Sequence, residues 1–461
     1  MAEPTHSKQI ALSDVILASA ALVRDVQKGG SLSDLMPGVP AQSRPAVQSV
    51  TFHVMRRLGL ARALKTSLVP RKPPEPLLDA LLLVALALLE TATRHGQESG
   101  EQRHEMDHEQ DAAQSPRGEP VYAAHTVVDQ AVNAAAGHRR LRNFKGMVNA
   151  VLRNFLRGRE ALLAEARQQP EACWNHPEWW VNTIRKAYPD QWRQVLSASD
   201  HPGPMTLRVN IRRKTVAALQ VALAEAGIAS SPLGAQGLVL ETPRPVQAIP
   251  GFEDGWWSVQ DASAQQAALL LAPEPGMRVL DACAAPGGKT AHLLELADIH
   301  LQALDADPVR LERIRQTLAR LGLDGDHVKL AAADAADVGA WWDGEPFDLV
   351  LADVPCTASG IVRRHPDIRW LRRESDLRKT AELQRRIADA LWQTVKPGGK
   401  LLYATCSVFP QEGEQQARAF AQRWPDATRL EAPGQILPLP EEGRQAGAYD
   451  GFFYALFAKN A

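Results

Sequence analysis

The pattern of apolar and polar positions divides the chain into three regions. In the first 160 residues apolar positions recur at helical spacing without the alternation typical of strands, which predicts an all-helical domain. The predicted helices lie within Val15 to Val26, Val47 to Leu64, Leu77 to Leu89 and Thr126 to Leu156. Residues 161–252 mix helical stretches with strand-like runs at Met205 to Asn210 and Gly237 to Leu240, which predicts a small α+β module.

From residue 253 to the end of the chain, short apolar runs alternate regularly with helical segments. This alternation is typical of an α/β, Rossmann-like doubly wound domain with a parallel sheet, so we expect a multidomain protein whose third domain covers 253–461. The predicted strands contain Val279-Leu280, Leu301 to Leu304, Val328 to Ala331, Leu349 to Ala352 and Leu401 to Ala404.

A polar segment from about Arg94 to Pro120 interrupts the helical region. It is rich in Gln, Glu, His, Asp, Ser and Gly, a composition that cannot bury enough surface to offset the entropy of ordering. We expect a mobile insertion. His104 and His108 have the spacing of two metal ligands on a helix, but no third strong ligand accompanies them, so no metal is expected.

Composition narrows the functional classes. The chain has 461 residues with 45% hydrophobic content, enough for several packed cores, and a formal net charge of −1, so any nucleic-acid contact must come from local basic patches. Four cysteines without a Cys-x-x-Cys pair favour free thiols in a reducing, cytoplasmic setting. The longest apolar run, Leu77 to Leu89, is shorter than the roughly 20 residues that cross a bilayer, so we expect a buried helix and no membrane partner.

The segment Asp281 to Thr290 has the features of a cofactor-binding turn. It follows a predicted strand, and its adjacent glycines Gly287 and Gly288 let a ligand approach the backbone. A phosphate-binding P-loop would need glycine where Cys283 stands, and the glycine spacing of dinucleotide-binding proteins is missing. A nucleoside without phosphates fits better, and S-adenosylmethionine is the candidate.

The next predicted strand ends at Asp305, 24 residues after Asp281, where a carboxylate is placed to hold ribose hydroxyls. Asp307 and Pro308 then predict a helix cap and a first-turn proline, which leaves Asp305 free for the ligand. The buried stripe of that helix is predicted to contain Leu311, Ile314, Leu318 and Leu321.

Two cysteines, Cys356 and Cys406, each follow a predicted strand and are expected to meet at the edge that carries the cofactor turn. Carbon 5 of a pyrimidine is a poor nucleophile, and attack by a thiolate at carbon 6 makes it reactive enough to accept a methyl group. A second group must then assist loss of the carbon 5 proton and release of the enzyme. Methyltransferases that act on amino groups generally have an aromatic residue, stacked on the base, at the position of Cys356. A cysteine there favours carbon over nitrogen as the methyl acceptor.

Three runs carry a local excess of basic residues. Ile361 to Arg386 contains nine Arg or Lys against four acids, and further clusters lie at His138 to Lys145 and Arg208 to Lys214. The first run suits phosphate contacts beside the active site, and each cluster alternatively marks a solvated face of a helix or strand.

These motifs together resemble the RNA cytosine-5 methyltransferase family, and within it the bacterial ribosomal RNA small subunit methyltransferase B (Sun/Fmu) group. The resemblance implies a NusB-like helical RNA-binding domain over 1–160, an RNA-binding module over 161–252 and a catalytic domain that uses S-adenosyl-L-methionine on 16S ribosomal RNA. The motifs that carry the resemblance are Asp281 to Thr290, Asp353-Val354-Pro355-Cys356, Arg364 to Ile368, Tyr403 to Ser407 and Asp450 to Phe453.

The resemblance also implies individual roles. Cys406 would be the nucleophile and Cys356 would assist product release. The residues implied to bind the cofactor are Cys283, Ala284, Ala285, Pro286, Gly287, Gly288, Lys289, Asp305, Asp334 and Asp353.

Two alternatives stay open from the sequence. One is a non-catalytic, NusB-like RNA-binding or antitermination factor whose Rossmann-like domain has lost its activity. The other is an amino-group RNA methyltransferase. We expect the protein to be a monomer.

Overall fold

The computed structural model describes residues 10–98, 113–114, 118–440 and 447–460. The chain forms two compact units. Unit 1 comprises Met1–Pro202 together with Val362–Arg372, and unit 2 comprises Gly203–Ile361 together with Arg373–Ala461.

Unit 1 is a bundle of helices built around one apolar helix, α4. The apolar side chains of this helix between Leu77 and Leu89 are buried against α1, α3 and α5. Its segment Pro76–His95 is long and apolar enough to cross a membrane, yet 78% of its most apolar window is buried within the structure, as for the core helix of a bundle. The helices of this part of the chain are α1 Leu12–Gln27, α2 Leu32–Leu35, α3 Arg44–Leu68, α4 Pro76–Glu98, α5 Ala124–Gly137, α6 Lys145–Ala166, α7 Pro170–Trp174, α8 Glu178–Ala187 and α9 Trp192–Ser197.

The predicted helices of the first region are present, with one difference. The run predicted from Thr126 to Leu156 forms two helices, α5 and α6, because the chain turns at the buried Leu141. Helices α7 to α9 fall inside the segment 161–202 and pack in unit 1.

The polar segment between Arg94 and Pro120 includes short strands that were not predicted. Most of it, including His104 and His108, lies outside the described residues. A pair of two-residue strands, β1 Ala113–Gln114 and β2 Pro120–Val121, corrects the expectation that this region has no strands, since strands of two residues leave no alternation in the sequence. The buried Glu119 forms 2.8 Å ion pairs with Arg57 and Arg94, and their charges outweigh burial and lower the pKa of this carboxyl.

Residues 362–372, although distant in sequence, belong to unit 1. Asp367 accepts a hydrogen bond from the backbone N–H of Leu32 at 2.9 Å, and the indole N–H of Trp370 donates to the carbonyl oxygen of Met55 at 2.7 Å. Asp367 belongs to the Arg364 to Ile368 motif, so this motif contributes to packing within the helical unit.

The prediction that the basic run from Ile361 to Arg386 faces phosphate is wrong for two of its members. Arg363 and Arg369 are buried, and Arg369 is fully buried. Its guanidinium donates to the carbonyl oxygens of Asn175 and Ser199, at 3.2 and 2.8 Å. A buried cation must be paired or hydrogen-bonded, and these backbone partners cannot be inferred from local charge counts.

Unit 2 begins with a four-stranded antiparallel sheet of order β4-β5-β3-β6. The predicted strands at Met205 to Asn210 and Gly237 to Leu240 are present as β3 and β5. The strands of this sheet are β3 Met205–Val209, β4 Ser230–Leu233, β5 Gly237–Leu240 and β6 Trp257–Val259, and the helix between β3 and β4 is α10 Val216–Glu225.

The second sheet of unit 2 has seven strands in the order β12-β13-β11-β10-β7-β8-β9. Six strands run in one direction, whereas β13 runs in the opposite direction and pairs antiparallel with both β11 and β12, so the expected all-parallel sheet is a mixed one. An antiparallel edge on a parallel sheet is common in such folds. The strands are β7 Arg278–Ala282, β8 His300–Asp305, β9 Val328–Ala332, β10 Phe347–Asp353, β11 Val395–Thr405, β12 Ala427–Ile436 and β13 Phe452–Lys459.

Helices cover both faces of this sheet because successive strand residues point to opposite sides. In β10, Leu349 and Leu351 pack with α11, α12 and α13, while Val350 and Ala352 pack with α16 and α17. The helices are α11 Ala262–Leu271, α12 Gly288–Leu296, α13 Pro308–Leu321, α14 Val338–Trp341, α15 Ile368–Leu371, α16 Glu374–Thr394 and α17 Glu414–Arg423, of which α15 lies in unit 1.

The order of the strands indicates where in the sheet a ligand would bind. The chain runs outward from β7 through β8 to β9 and then returns to the other side of β7 to form β10. The carboxyl ends of β7 and β10 therefore flank a topological switch point, where ligands bind in open α/β sheets.

We predict that Arg369→Ala lowers the free energy of unfolding of unit 1 by about 2–4 kcal/mol, because it leaves two buried carbonyl oxygens without their donor. The exposed Arg140 of the same unit is the control, and Arg140→Ala should change the stability of the unit by less than about 0.5 kcal/mol. Urea unfolding followed by circular dichroism measures both. Equal effects would contradict a structural role for Arg369.

Candidate active site

The turn between β7 and α12 is shaped by residues with left-handed backbone conformations. Cys283 has a φ of 61° and Gly287 a φ of 96°, and α12 begins at Gly288. A Cβ atom on Gly287 would lie 3.1 Å from the side chain of Ile314, so both backbone angle and space favour glycine there. The first N–H groups of α12 have no carbonyl partner within the helix and are the natural donors to a ligand.

Asp305 holds this turn from the end of β8. Its buried carboxylate accepts hydrogen bonds from the backbone N–H groups of Ala285 and Asp307, both at 3.1 Å, and lies 3.6 Å from Arg310. Asp305 does not cap α13, and its role toward the ribose stays a prediction. Asp307 caps α13 as predicted, since it accepts from the N–H groups of Val309 and Arg310.

Asp281 lies in β7, just before the turn, and its side chain is fully buried. One carboxyl oxygen accepts from the hydroxyl of Thr290 at 2.6 Å, and the other has no protein partner. Burial, together with the negative charge of Asp353, raises the pKa of Asp281 to about 7. Burial and the surrounding acids, Asp334 among them, also raise the pKa of the Cys283 thiol. Cys283 therefore stays protonated.

Lys289 joins the cofactor turn to the end of β10. Its ammonium lies 2.6 Å from the carboxylate of Asp353 and 5.3 Å from the ring centre of Phe452. Burial would lower the pKa of Lys289, but Asp353 outweighs burial and, with Cys406, raises it. Lys289 is therefore a cation that ties the cofactor turn to the end of β10.

The two predicted cysteines meet. Cys406 directly follows β11 and Cys356 follows β10, and their sulfur atoms lie 3.3 Å apart, both partly exposed. The hydrogen bond with Cys406, followed by burial, raises the pKa of Cys356 well above its usual value, and the Glu412 carboxylate adds to this rise. Cys356 therefore keeps its proton near neutral pH.

The loops that carry the cysteines are bonded to each other. The N–H of Gly360 donates to the carbonyl oxygen of Cys406, and the N–H of Gly451 donates to the carbonyl oxygen of Gly360, both at 2.9 Å. A Cβ atom on Gly360 would lie 1.8 Å from the carbonyl oxygen of Gly451. This close approach explains why the Asp450 to Phe453 motif accompanies the cysteine motifs.

Asp334 is the predicted site residue placed least centrally. It lies two residues beyond β9, is exposed, and accepts a hydrogen bond from the N–H of Ala336 at 2.9 Å. The structure thus brings the cysteines, Lys289, Asp281, Asp305 and Asp353 together and leaves Asp334 at the rim.

Two residues of the site region were missed by sequence reasoning. Arg208, assigned to a basic cluster, is fully buried, forms a bidentate ion pair with Glu295 at 2.7 and 2.8 Å, and donates to the carbonyl oxygen of Gly288 at 2.6 Å. Its surface assignment is corrected, and a lone charge inside an apolar strand was the available signal. Glu412, fully buried between the two cysteine loops, gave no comparable signal.

Comparison with known proteins identifies the family. The description "16S rRNA methyltransferase RsmB/F" matches residues 268–458, and that of the ferredoxin-like domain of RsmF/B-like methyltransferases matches residues 176–247. The chain is 40% identical over 456 residues to ribosomal RNA small subunit methyltransferase B of Vibrio cholerae, covering 96% of each chain. The chain belongs to the RsmB/F methyltransferase family. The resemblance that the sequence motifs indicated is confirmed.

Solved structures agree with this assignment of the fold. The crystal structure of PH0851 superposes with a TM-score of 0.71 at 23% identity, covering 96% of this chain and 99% of that chain. A methyltransferase homolog protein from Pyrococcus horikoshii has a TM-score of 0.54 at 28% identity, covering 63% of this chain and 97% of that chain. The predicted fold class of helical domain, small α+β module and Rossmann-like domain is confirmed, with the mixed sheet as its correction.

The pKa of Asp281 predicts a pH dependence of stability. The folded chain binds this proton with a pKa of about 7, above the value of about 3.9 for an unfolded aspartate. The stabilising contribution is therefore complete below about pH 4 and is lost as the pH rises through about 7. Since Asp281→Asn removes this titration, we expect the melting temperature of the variant relative to the parent to rise between about pH 5 and pH 8. A difference that stays constant with pH would contradict the buried, protonated carboxyl.

Proposed function

We propose that this protein methylates carbon 5 of a specific cytosine in 16S ribosomal RNA, with S-adenosylmethionine as methyl donor and a covalent cysteine adduct as intermediate. The single observation that carries the proposal is the 3.3 Å approach of the Cys356 and Cys406 sulfurs at the switch-point edge of the sheet. Two thiols at one ligand-binding edge suit a reaction that needs a nucleophile and a separate proton acceptor.

The residues of the cofactor turn fit a nucleoside sulfonium. Bound there, S-adenosylmethionine supplies an electrophilic methyl group. The first-turn amides of α12 and the carboxylates of Asp305 and Asp353 would hold it, and the cluster of acids suits a positively charged ligand without phosphates. Glycine at 287 leaves room for close approach to the backbone.

Cys406 is the proposed nucleophile. As a thiolate it adds to carbon 6 of the cytosine, forming a sulfur–carbon bond and making carbon 5 electron-rich. Carbon 5 then takes the methyl group as the bond between that group and the sulfonium sulfur breaks, which leaves S-adenosylhomocysteine. The Lys289 ammonium provides positive charge in its neighbourhood, a setting that favours thiolate chemistry. Cys356 holds the proton of the pair at this stage because its pKa is raised by the Cys406 hydrogen bond and by burial.

Cys356 is the proposed proton acceptor in product release. Once the Cys406 sulfur is bonded to carbon, it is neutral and no longer raises the pKa of Cys356 by its charge. Cys356 then releases its own proton to solvent and, as a thiolate, takes the carbon 5 proton. The electrons of that C–H bond restore the ring double bond, and the sulfur–carbon pair returns to Cys406 as thiolate.

The amino-group alternative is less favoured by the same geometry. Methylation of an exocyclic nitrogen needs no cysteine pair, and cysteine stands at 356 where those enzymes generally stack an aromatic side chain on the base. The expected cytoplasmic location and monomeric state stay predictions.

Replacing the nucleophile should abolish the reaction. We expect Cys406→Ala to reduce methyl transfer by on the order of 10³-fold or more while S-adenosylmethionine binding, measured by calorimetry, is kept. The exposed Cys173 is the control, and Cys173→Ala should leave turnover unchanged. Retained turnover in Cys406→Ala would refute the nucleophile role. Failure of the parent protein to bind S-adenosylmethionine would favour the non-catalytic alternative.

Replacing the proton acceptor should instead trap the intermediate. We expect Cys356→Ala, incubated with cofactor and RNA, to accumulate a protein–RNA adduct that persists as a slower band in a denaturing gel. The variant that combines Cys356→Ala with Cys406→Ala is the control, and it should show no adduct band. An adduct in Cys406→Ala rather than in Cys356→Ala would mean that the two roles are exchanged.

A further inference from the structure

A buried carboxylate connects the two cysteine loops. Glu412 follows Cys406 by six residues, lies in the short 3-10 turn Pro410–Glu412, and is fully buried. One of its oxygens accepts from the backbone N–H of Thr357 at 2.8 Å, and the other accepts from the hydroxyl of Ser407 at 2.6 Å. Thr357 directly follows Cys356 and Ser407 directly follows Cys406. Each sulfur is therefore one residue away from a bond to this carboxylate.

Further bonds complete the environment of the carboxylate. The Thr357 hydroxyl donates to it, and the side-chain amide of Gln384 donates both to it, at 3.2 Å, and to the carbonyl oxygen of Pro355, at 2.9 Å. The Tyr403 hydroxyl lies 2.9 Å from the backbone carbonyl oxygen of Glu412. Since all these contacts are hydrogen-bond donors to Glu412, both of its side-chain oxygens and its backbone oxygen are used as acceptors.

The hydrogen bonds of the Glu412 side chain hold the two cysteine loops together. The loop after β10 and the loop after β11 come from segments 55 residues apart, and a single side chain spans them. Charged acceptors make stronger hydrogen bonds than neutral ones, and burial strengthens them further. The separation of the two sulfurs therefore depends on the reach of this side chain as well as on the sheet.

We infer that Glu412 is a positioning residue for the cysteine pair, holding the Cys356 and Cys406 sulfurs at reacting distance through Thr357 and Ser407. The inference rests on the proposed function for its catalytic meaning, but the positioning itself is independent of it. Its negative charge also disfavours ionisation of Cys356, which supports the division of roles between the two sulfurs.

Two conservative variants distinguish the effect of the length of the Glu412 side chain, which we call its reach, from the effect of its negative charge. Glu412→Asp keeps the charge but withdraws the oxygens by one methylene, so it cannot bond both loops at once. Glu412→Gln keeps the reach and removes the charge. Its oxygen can accept from the Thr357 N–H, and the two hydroxyls can rotate to accept from its amide. Glu414→Gln is the matched control, because Glu414 is two residues away and pairs with Arg418 and Arg429.

The position of the sulfurs can be measured without RNA through disulfide closure. A diazenedicarboxamide oxidises two thiols by taking one hydrogen from each onto its N=N bond, which becomes a hydrazine as the S–S bond forms. At saturating reagent the intramolecular step sets the rate and reports how well the sulfurs are held. Mass analysis of alkylated peptides identifies the Cys356–Cys406 disulfide in the full-length protein.

We expect Glu412→Asp to slow closure by about tenfold and single-turnover methyl transfer by on the order of 10- to 100-fold, with the dissociation constant for S-adenosylmethionine within about twofold of the parent. Glu412→Gln should close within about threefold of the parent rate, and Glu414→Gln should match the parent in every assay. A melting curve for each variant verifies that it is folded.

Closure at the parent rate in Glu412→Asp would overturn the inference, whatever the methylation result. Slow closure in Glu412→Gln with normal closure in Glu412→Asp would also overturn it, because charge rather than reach would then be responsible. Slow closure in Glu412→Asp with undiminished methyl transfer would support the positioning role and refute the cysteine-based function instead.

Discussion

The parallel pairing of β10 with β11 is the constraint on which the site depends. Asp353, at the end of β10, lies opposite Ala404 near the end of β11, so the loops that follow leave the sheet at the same edge. β10 also pairs with β7, which brings the cofactor turn to that edge. Any slip in this register would move the two sulfurs apart and turn alternate side chains to the other face.

Charged side chains at this edge also hold the site together. Asp281, Asp305 and Asp353 surround a turn that contains one cation, Lys289, and the ion pair with Asp353 ties that turn to β10. Burial raises the pKa of Asp281 to about 7 and also raises the pKa of the Cys283 thiol, so Cys283 stays neutral and Asp281 is only about half ionised near neutral pH. Arg208 supports the turn from the small α+β module through its bonds to Gly288 and Glu295. The site is thus held by two sheets of the same unit.

Much of this arrangement could be predicted because its signals are local. The strand-end position of Cys356 and Cys406, the cap at Asp307 and the buried stripe of α13 each follow from a few neighbouring residues. Strands β12 and β13 were not among the predicted strands. β12 includes Pro433 and Gly434 and shows no clear alternation.

Interactions between distant segments were not predictable in the same way. The partners of Arg369 lie 170 and 194 residues away, so a count of local charge assigned it to the surface. Glu412 likewise bonds a residue 55 positions earlier, and a single acid after a cysteine motif does not indicate that partner. Periodicity predicts which face of an element is buried, whereas the partner of a buried charge depends on the tertiary fold.

The most direct test of the account is the chemical identity and position of the transferred methyl group. The protein would be incubated with S-adenosylmethionine labelled on its methyl group and with 16S ribosomal RNA, and the RNA would be digested to nucleosides and mapped by mass analysis. The account predicts label in 5-methylcytidine at one position of the RNA. Label on an exocyclic nitrogen, or none in RNA that the protein binds together with the cofactor, would contradict it.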